Sequence, residues 1–511
     1  MSNYLRYGTG RETVGTFTQR KEYFENLMET RISVSDFLLG FRLLHDAPPE
    51  YGNEFTGVRK RYLEFKRDNL YLRAGDSYSL YARGLALNLF ENRGLAHDTG
   101  IDGIKFEYKT RILKVSATGG TINYTDVLDL SRIEEYKIRA GSVELAPYQS
   151  FSVGANFVSG KFSPPNAIFE TQFDIPELFG RVQFGNIDAF ASYADRRTGG
   201  AHTGNGFYGS VAYTDESYGV SLEYKDYRFG SAGPYDRITP NRVDKAYAFQ
   251  NAPIVHKEHS FTLLTRYPHV IDFNDEVGYQ LDAFYTLSER LTGSVNASAA
   301  SRHYSYAQTG DTTVVFTPEY GTIGRKGSFL PSFAVEYSPF WELYADVQYF
   351  IDEGVNDYVL VGFNRRSDVI NEYSNVFGQD AAAKATRTTA IPAAAQVTVM
   401  GGFVAKATAE RQWVYEASNS AQVDFYNQLI SLSISRSPTY SVTFRYEFTS
   451  DHGTIDGRRN WTAVDLGFRF SDKHNITLTM GGDRGGLVCA NGVCRVVNPF
   501  LGVRASILSY L

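Results

Sequence analysis

Two cysteines are the side chains with the most distinctive chemistry in this sequence. The stretch GGLVCANGVCRVV, residues 485–497, contains both of them, Cys489 and Cys494. Such a pair could form half of a zinc site, a redox-active dithiol or a disulfide. Zinc needs two further ligands, and the neighbouring sequence offers none. A redox pair more often has two intervening residues at the start of a helix.

The residues between the cysteines favour the disulfide. Asn491-Gly492 is the strongest two-residue hairpin signal, because a type I′ turn needs positive φ at both central positions. Pairing outward from this turn sets Cys489 opposite Cys494 in a non-hydrogen-bonded pair, close enough for a disulfide. We predict a hairpin oxidised outside the cytosol, at a tip that no core supports. Because the closed loop is short, the disulfide should add little to global stability.

No other reactive constellation is evident in the sequence. The nine histidines are scattered, without the His-x3-His or Glu-x-x-His spacing of metal sites. The acidic stretch 450–460 lacks the spacing of a calcium loop, and there is no Gly-x-Ser-x-Gly elbow or phosphate loop. A net charge of −6 argues against a general nucleic-acid binder. We therefore expect no enzyme activity, no cofactor, no metal and no nucleic-acid partner.

In the segments that must position these side chains, apolar and polar residues alternate with a period of two. The stretches SVTFRYEFT (441–449), TAVDLGFRF (462–470) and NITLTMGG (475–482) each place apolar residues on one face and polar residues on the other. Because successive strand residues point to opposite faces, each stretch predicts a half-apolar strand. Roughly 24 strands, in a range of about 20–26, are separated by short turns, which predicts an antiparallel meander.

Two ways of closing such a sheet compete. In a soluble sandwich or propeller the apolar face points inward and strands are short, about 5–6 residues. In a transmembrane barrel the apolar face meets lipid and strands run about 9–11 residues or more. The alternating stretches here are about 9–13 residues long, and no propeller repeat is found. We predict an all-β fold: a large antiparallel transmembrane β-barrel in a bacterial outer membrane, with lipid and other envelope proteins as partners.

The chain divides into a barrel, an N-terminal segment and long loops. Residues 29–511 are predicted to form one barrel. Residues 1–28 are charged and aromatic, and we expect them inside the barrel or at its mouth. Residues 229–256 and 364–388 lack the alternation and are predicted to be long loops. The sequence opens without a charged-then-apolar leader, so we expect an exported protein numbered from a processed or trimmed start.

One stretch without the alternation, residues 77–100, lies between two clear strands. Barrels of around 22 strands enclose a lumen that is plugged in known cases, and an empty one of 24 would breach the membrane barrier. We therefore expect this stretch to fold inward as a short helix or a constriction loop, with an ordinary surface loop as the alternative. Its candidate constriction residues are Arg83, Asn88, Glu91, Asn92, Arg93, His97 and Asp98.

The polar faces of the predicted strands would line the interior of the barrel. The candidate lining residues are Arg73, Lys105, Glu107, Arg445, Glu447, Asp465 and Arg469. A selective pore concentrates charge of one sign at its constriction. Acids and bases are nearly balanced on these faces, which favours cross-strand ion pairs along the wall and gives no preference for anions or cations.

Two motif blocks carry a family resemblance that extends from about residue 29 to the end of the chain. The stretch LRAGDSYSLYARGLALNLFENRGLAHDTGIDGIKFEY and the later GGDRGGLVCANGVCRVV resemble a family of uncharacterised outer-membrane β-barrel proteins of Bacteroidota-type bacteria. The matching positions are Gly75, Asp76, Tyr78, Gly84, Leu85, Leu87, Glu91, Arg93, Gly94, Leu95, Gly100, Ile101, Asp102, Gly103, Cys489, Cys494 and Arg495. The resemblance implies a fold and a membrane, and it implies no reaction.

Three functions fit these features. The first is a channel or transport-type barrel whose lumen is constricted by an internal segment. The second is a closed structural or assembly partner of a surface or secretion complex. The third, which finds no local motif, is an outer-membrane enzyme. No separate plug domain of the size found in energy-coupled transporters is evident, which disfavours that class of transporter.

Overall fold

Almost all of the regular secondary structure among the described residues is β-strand. The computed structural model describes residues 1–163, 170–230, 246–309, 319–351, 356–373, 381–418 and 421–511. Within these ranges the helical elements are three 3₁₀ turns, Arg93–Leu95, Val335–Tyr337 and Met400–Gly402. Across the same described residues, no helix is long and apolar enough to cross a membrane.

The strands are numbered in chain order. The first part of the chain contributes β1 (Ser2–Val14), β2 (Phe17–Val34), β3 (Phe37–Asp46), β4 (Phe55–Arg67), β5 (Leu70–Ser77), β6 (Glu91–Asn92), β7 (His97–Asp98), β8 (Ile101–Lys109), β9 (Leu113–Thr125), β10 (Ile133–Tyr148), β11 (Phe151–Ser163), β12 (Thr171–Phe184), β13 (Ile187–Thr198), β14 (Ala201–Thr214) and β15 (Tyr218–Arg228). The second part contributes β16 (Glu276–Ser288), β17 (Leu291–Ser301), β18 (Tyr304–Thr309), β19 (Glu319–Gly324), β20 (Phe340–Phe350), β21 (Tyr358–Glu372), β22 (Ala382–Val399), β23 (Phe403–Ala417), β24 (Gln422–Arg436), β25 (Tyr440–Thr449), β26 (Asn460–Ser471), β27 (His474–Asp483), β28 (Gly486–Ala490), β29 (Val493–Val497) and β30 (Phe500–Tyr510).

Twenty-four of these strands form one closed antiparallel barrel. Each wall strand pairs with its neighbours along the chain, and β1 closes the sheet by pairing with β30, so that Ser2 lies opposite Tyr510. The pairs β6–β7, β18–β19 and β28–β29 are short hairpins outside this sheet. Closure leaves the large sheet without an unpaired edge, and the predicted barrel of roughly 24 strands is confirmed.

The two faces of the wall differ in the way that the alternation predicts. On β24 the side chains of Ile430, Leu432 and Ile434 point outward and are exposed, whereas Asn427 and Leu429 point inward and are buried. Exposed apolar side chains recur on the outer face of most other strands, in the half of the barrel nearer the short turns. The outer surface therefore carries an apolar band that none of the described residues covers.

The two ends of the barrel are unequal. Connections of two or three residues, such as those between β2 and β3 and between β26 and β27, lie at the end where both termini meet. The opposite end carries the long connections, of which the longest join β5 to β8, β15 to β16, β17 to β20 and β27 to β30. Short turns at one end and long loops at the other are typical of outer-membrane barrels.

The prediction for residues 1–28 is wrong, because this segment forms β1 and most of β2 in the wall. Arg6 points inward and pairs with Glu25 on the neighbouring strand at 3.0 Å between Nη2 and Oε2. The outer face of β1 mixes Leu5 and Tyr7 with polar residues, and this mixture hides the alternation. The barrel therefore starts at the second residue of the chain.

The prediction of a long loop over residues 364–388 is also wrong where the structure describes that stretch. β21 extends to Glu372 and β22 begins at Ala382, while residues 374–380 lie outside the described ranges. Near the loop end both faces of these strands mix polar and apolar residues, so the period of two is lost although the strands continue. The other predicted loop, 229–256, is a connection between strands, and its residues 231–245 lie outside the described ranges.

Candidate functional site

Three long connections fold toward the interior of the barrel. We call residues 78–100, 246–275 and 484–499 the inner segments. A single cluster of buried apolar side chains joins the first two of them to wall strands from β9 to β15. At its centre Leu85 and Phe249, both fully buried, pack among the inward-facing rings of the wall. A connection packed in this way belongs to the core of the molecule, although it contains almost no regular structure.

The polar residues of 78–100 meet wall residues of opposite charge. Glu91 accepts a hydrogen bond from Arg42 of β3 at 2.7 Å. Arg93 pairs with Glu25 of β2, and the Arg93 guanidinium also lies over the ring of Tyr4, 5.7 Å from its centroid. These contacts attach two of the side chains that the sequence predicted for a constriction, Glu91 and Arg93, to the wall.

Asp98 is held by a lysine of the wall. The Nζ atom of Lys60 on β4 lies 2.7 Å from Oδ2 of Asp98, and the hydroxyl of Tyr78 donates to Oδ1 at 3.0 Å. Burial disfavours the charge of Asp98, but the ammonium of Lys60 outweighs this and lowers the pKa of Asp98 below its ordinary value. Asp98 is therefore ionised at neutral pH and binds this end of the segment to the wall.

The other predicted residues of this segment have structural partners. Asn92 caps the 3₁₀ turn by accepting a hydrogen bond from the backbone N–H of Leu95. His97 is buried between the rings of Phe90 and Tyr124. Asn88 donates to the backbone carbonyl of Asn251 at 2.9 Å, and Arg83 lies over the ring of Phe190, 5.1 Å from its centroid.

The second inner segment begins with aromatic packing. The ring of Phe249 lies 5.2 Å from that of Tyr136 on β10 and 5.3 Å from that of Phe173 on β12. The side-chain amide of Gln250 donates to the backbone carbonyl of Leu85 at 2.7 Å. The first part of this segment is thus fixed against β10–β12 and against residues 78–100.

The middle of the second segment is attached to the opposite wall by polar contacts. Glu410 of β23 accepts hydrogen bonds from the backbone N–H groups of Thr262 and Leu263 at 3.0 and 2.7 Å. Gln412, two residues further on the same inner face, donates to the carbonyl of Leu263 at 2.8 Å. His259 lies within 3.0 Å of Glu342 on β20. Buried backbone groups require partners, and here the wall supplies them.

The end of the second segment adds charged contacts. Arg266 pairs with Glu447 of β25, and His269 lies 3.0 Å from Asp368 of β21. Burial opposes protonation of His269, but the charges of Asp368 and Glu276 outweigh it and raise the pKa of His269 to about 9. His269 is therefore a cation at neutral pH.

Residues 257–275 were not recognised from the sequence as part of a site. No motif marks them, because their partners come from strands far along the chain. A signal was nevertheless present: β15 ends at Arg228 and β16 starts at Glu276. A connection of that length within a barrel is uncommon unless it is functional or disordered.

The cysteine hairpin is the third inner segment. Cys489 and Cys494 are directly opposite in the β28–β29 pair and form a disulfide, with Cα atoms 4.1 Å apart. The turn residues Asn491 and Gly492 have φ of 50° and 72°, as a type I′ turn requires. The predicted pairing is confirmed, whereas the expected lack of a supporting core is wrong: Val493 is buried against Leu95 and Val127.

The predicted wall charges pair mainly with their strand neighbours. Arg73 lies 2.7 Å from Glu64, directly opposite on β4, and Arg445 lies 2.8 Å from Asp465 on β26. Lys105 pairs with Glu107 at 3.0 Å. The remaining two predicted residues lie in different places. Glu447 pairs with Arg266 and Arg484 of the inner segments, whereas Arg469 lies at the short-turn end beside Asp472.

Sequence comparison gives the chain a family. The chain matches a family of unknown function (DUF6029) over residues 14–511. It belongs to that family. No curated protein matches the chain.

Comparison with solved structures gives several matches, including the following three. The siderophore receptor PirA from Pseudomonas aeruginosa matches with a TM-score of 0.43 and 8% identity, over 100% of this chain and 80% of that one. The P pilus usher (PapC) translocation pore matches with a TM-score of 0.41 and 10% identity, over 100% and 99%. The outer membrane protein OprD from Pseudomonas aeruginosa matches with a TM-score of 0.37 and 10% identity, over 76% and 92%. Because all three TM-scores are below 0.5, the fold of the DUF6029 chain rests on its own strand pairing.

The two motif blocks that carried the resemblance meet inside the DUF6029 barrel. Arg495, which follows the second cysteine, donates to the backbone carbonyl of Gly94 at 3.2 Å, and its guanidinium lies 4.0 Å from the centroid of the Tyr51 ring. Asn251 donates to the carbonyl of Asn491 at 2.8 Å. All three inner segments are therefore in mutual contact.

A cavity of about 540 Å³ lies beside this junction, between the first inner segment and β1–β4. Charged side chains of both signs line it, namely Arg6, Glu25, Arg42, Asp46, Glu50, Glu54, Arg59, Glu91, Arg93, Asp98 and Arg495. No group of three or more His, Cys, Asp or Glu side chains within the described ranges is placed to hold a metal ion. The site therefore consists of a cavity lined by ion-paired side chains, together with hydrogen bonds and ion pairs that join the inner segments to the wall.

Proposed function

We propose that this DUF6029 protein is an outer-membrane transport-type barrel whose lumen is constricted by the inner segments. One observation carries the proposal: residues 257–269 are attached to the inner wall by separate polar contacts. The wall residues that make these contacts are Glu342, Asp368, Glu410 and Glu447. A net hydrogen bond contributes about 0.5–1.5 kcal/mol. Attachments of this kind can break singly and allow a segment to move, while the wall strands stay paired.

The distribution of apolar and polar contacts supports a hinged constriction. The apolar cluster fixes residues 78–100 and the start of 246–275 to the β9–β15 side. The contacts on the β20–β25 side are mainly hydrogen bonds and ion pairs. One small apolar cluster, Leu264 with Tyr344 and Ala390, accompanies them. A solute route that opens along β20–β25 would break the polar contacts and this small cluster and would spare the large apolar cluster, which is the cheaper of the two changes.

The outer face supports residence in an outer membrane. Its exposed apolar side chains would be costly in water, and lipid would cover them. In barrels of this kind the short turns face the periplasm and the long loops face the exterior. The inner segments all enter from the long-loop end, so the proposed constriction is controlled from outside the cell.

A solute-uptake experiment tests this proposal. In one variant, residues 257–269 are replaced by a Gly/Ser linker of equal length, and swelling of proteoliposomes in small sugars is measured. We expect slow swelling with the wild type and at least tenfold faster swelling with the variant. The matched control replaces 452–458, in another loop of the same end, with a linker of its own length and should swell like the wild type. Equal swelling by all three folded proteins would contradict the proposal.

The apolar cluster also favours a second candidate function. A core that includes Leu85, Phe249 and Phe273 resembles permanent packing more than a movable gate. The protein would then be a closed structural or assembly partner of a surface or secretion complex. This candidate predicts no solute flux from any folded variant and stoichiometric co-purification of other envelope proteins from the native membrane.

A further inference from the structure

The outer face of the wall has a polar feature that the proposed transport function does not use. A surface cavity of about 750 Å³ lies against the outer face of β20–β24, near the loop end. Outward-facing side chains from five neighbouring strands line it, among them Trp341, Arg365, Arg387, Trp413, Tyr415 and Tyr426. Successive residues of a strand point to opposite faces of the wall. Arg365 therefore points outward, whereas Arg366 points inward and donates a hydrogen bond to the backbone carbonyl of Tyr267 in the second inner segment.

Three arginines gather at this cavity. Arg365 and Arg387 line it, and Arg411 borders it on β23. The Arg411 guanidinium lies 3.5 Å from the centroid of the Tyr426 ring, and that of Arg387 lies 5.6 Å from the centroid of the Tyr415 ring. Among the described residues, no ion pair joins any of the three arginines to a carboxylate. The aromatic rings orient the cations without neutralising them.

The arginines lie within four residues of one another along the wall strands, at the edge of the apolar band. Arg365 is opposite Thr389, two residues from Arg387 on β22. On β24 the outward series runs from Ile434 through Leu432 and Ile430 to Gln428, which accepts a hydrogen bond from Arg411 at 3.2 Å. The exposed Ile391 lies opposite Arg411 in the register of β22 with β23. Basic and aromatic side chains at the edge of such a band are at the depth of lipid headgroups.

We propose that this surface binds the phosphate group of an outer-leaflet lipid, with the acyl chains lying along the apolar band below. Arginine forks match phosphate geometry, and the unpaired charges of Arg365, Arg387 and Arg411 supply the complementary sign. Asp424 also lines the cavity, but the three arginines outnumber it and leave the site positively charged, as an anionic headgroup requires. The apolar band explains why the partner is a lipid.

Native mass spectrometry of the full-length barrel in detergent tests the site. The probes are a bis-phosphorylated glycolipid and its dephosphorylated form with identical acyl chains. We expect the wild type to retain the phosphorylated lipid. The variant Arg365→Gln/Arg387→Gln/Arg411→Gln should bind it about 100-fold more weakly, because each basic side chain near an anionic surface contributes roughly fivefold. Inorganic phosphate in millimolar excess should not displace the lipid.

A second triple variant serves as the control. Arg61→Gln/Arg139→Gln/Arg197→Gln removes the same charge from outward positions elsewhere on the wall and should bind like the wild type. Heat-modifiable migration on a gel establishes that both variants are folded. The proposal is overturned if the wild type binds both lipids equally, or if the two triple variants lose the same affinity. Displacement by inorganic phosphate alone would overturn the assignment to a lipid.

Discussion

The disulfide of the β28–β29 hairpin closes a loop whose second strand packs inside the barrel. Cys494 is buried together with Val493 and Arg495, while Cys489 on the first strand is partly exposed. Burial of the second strand already fixes its position, so the covalent bond secures mainly the exposed strand. The role first expected for the disulfide, at an unsupported tip, is thereby replaced by a local one at a packed hairpin.

This role predicts a mild effect of removing both cysteines. Cys489→Ser/Cys494→Ser should leave the barrel folded and cost about 1–2 kcal/mol at most, because the closed loop is short. Heat-modifiable migration should be unchanged, and limited proteolysis should cut the variant faster near residue 487. Failure of the variant to form a barrel would show that the hairpin is needed for folding.

The charge of His269 predicts a pH dependence of the second inner segment. The groups that face it are Asp368 at 3.0 Å, Glu276 at 3.5 Å, and the rings of His256 and Phe340. Its pKa is raised from 6.5 to about 9 in the folded protein. The stabilisation is therefore fully present below about pH 6.5 and is lost as the pH rises through about 9.

Hydrogen exchange can measure this loss. Protection of the amides of residues 257–272, corrected for the intrinsic rate, should fall between pH 6.5 and 9.5 in the wild type. His269→Asn should have weaker protection that no longer changes over this range. His202→Asn, at an exposed position, should keep the wild-type profile. If His269→Asn kept the same pH dependence as the wild type, the effect would belong to another group.

At the scale of elements, the wall was predictable from the sequence and the inner segments were predictable only in part. The stretch 441–449 gave β25 with Arg445 and Glu447 on the inner face, because a strand in a barrel needs one apolar face along its whole lipid-facing length. Residues 257–275 do not contact lipid, so no alternation of apolar and polar residues is needed there. Their conformation depends on donors and acceptors such as Glu410 and Gln412, which the wall presents from far along the chain.

The apolar cluster predicts that the two larger inner segments unfold together. Phe249→Ala removes a buried ring that packs between residues 78–100 and the wall, and such substitutions cost about 3–5 kcal/mol. The opening free energy of both segments, measured by hydrogen exchange, should fall by a similar amount. Phe470→Ala, at an exposed outward position, should leave it unchanged. Loss of protection in 246–275 alone would show that the segments are independent.

At the scale of the whole molecule, the barrel separates two environments. The outer face is apolar and suited to lipid, whereas the inner face carries paired charges and the attachments of the inner segments. The large apolar cluster lies on one side of the interior, and mainly polar attachments lie on the other. In the proposed function, this difference allows the lumen to open without unfolding the wall. This asymmetry is the central claim of the proposed transport function.

Single-channel conductance of an attachment variant tests that claim most directly. Glu410→Ala/Gln412→Ala removes three hydrogen bonds to residues 262 and 263 and leaves the paired strands intact. The control is Asp465→Asn. Among the described residues, this inward carboxylate contacts only the wall, at Arg445 and Thr479. In planar bilayers we predict rare openings for the wild type and the control and at least tenfold more frequent openings for the variant. A variant as silent as the wild type, with its barrel intact, would contradict the account.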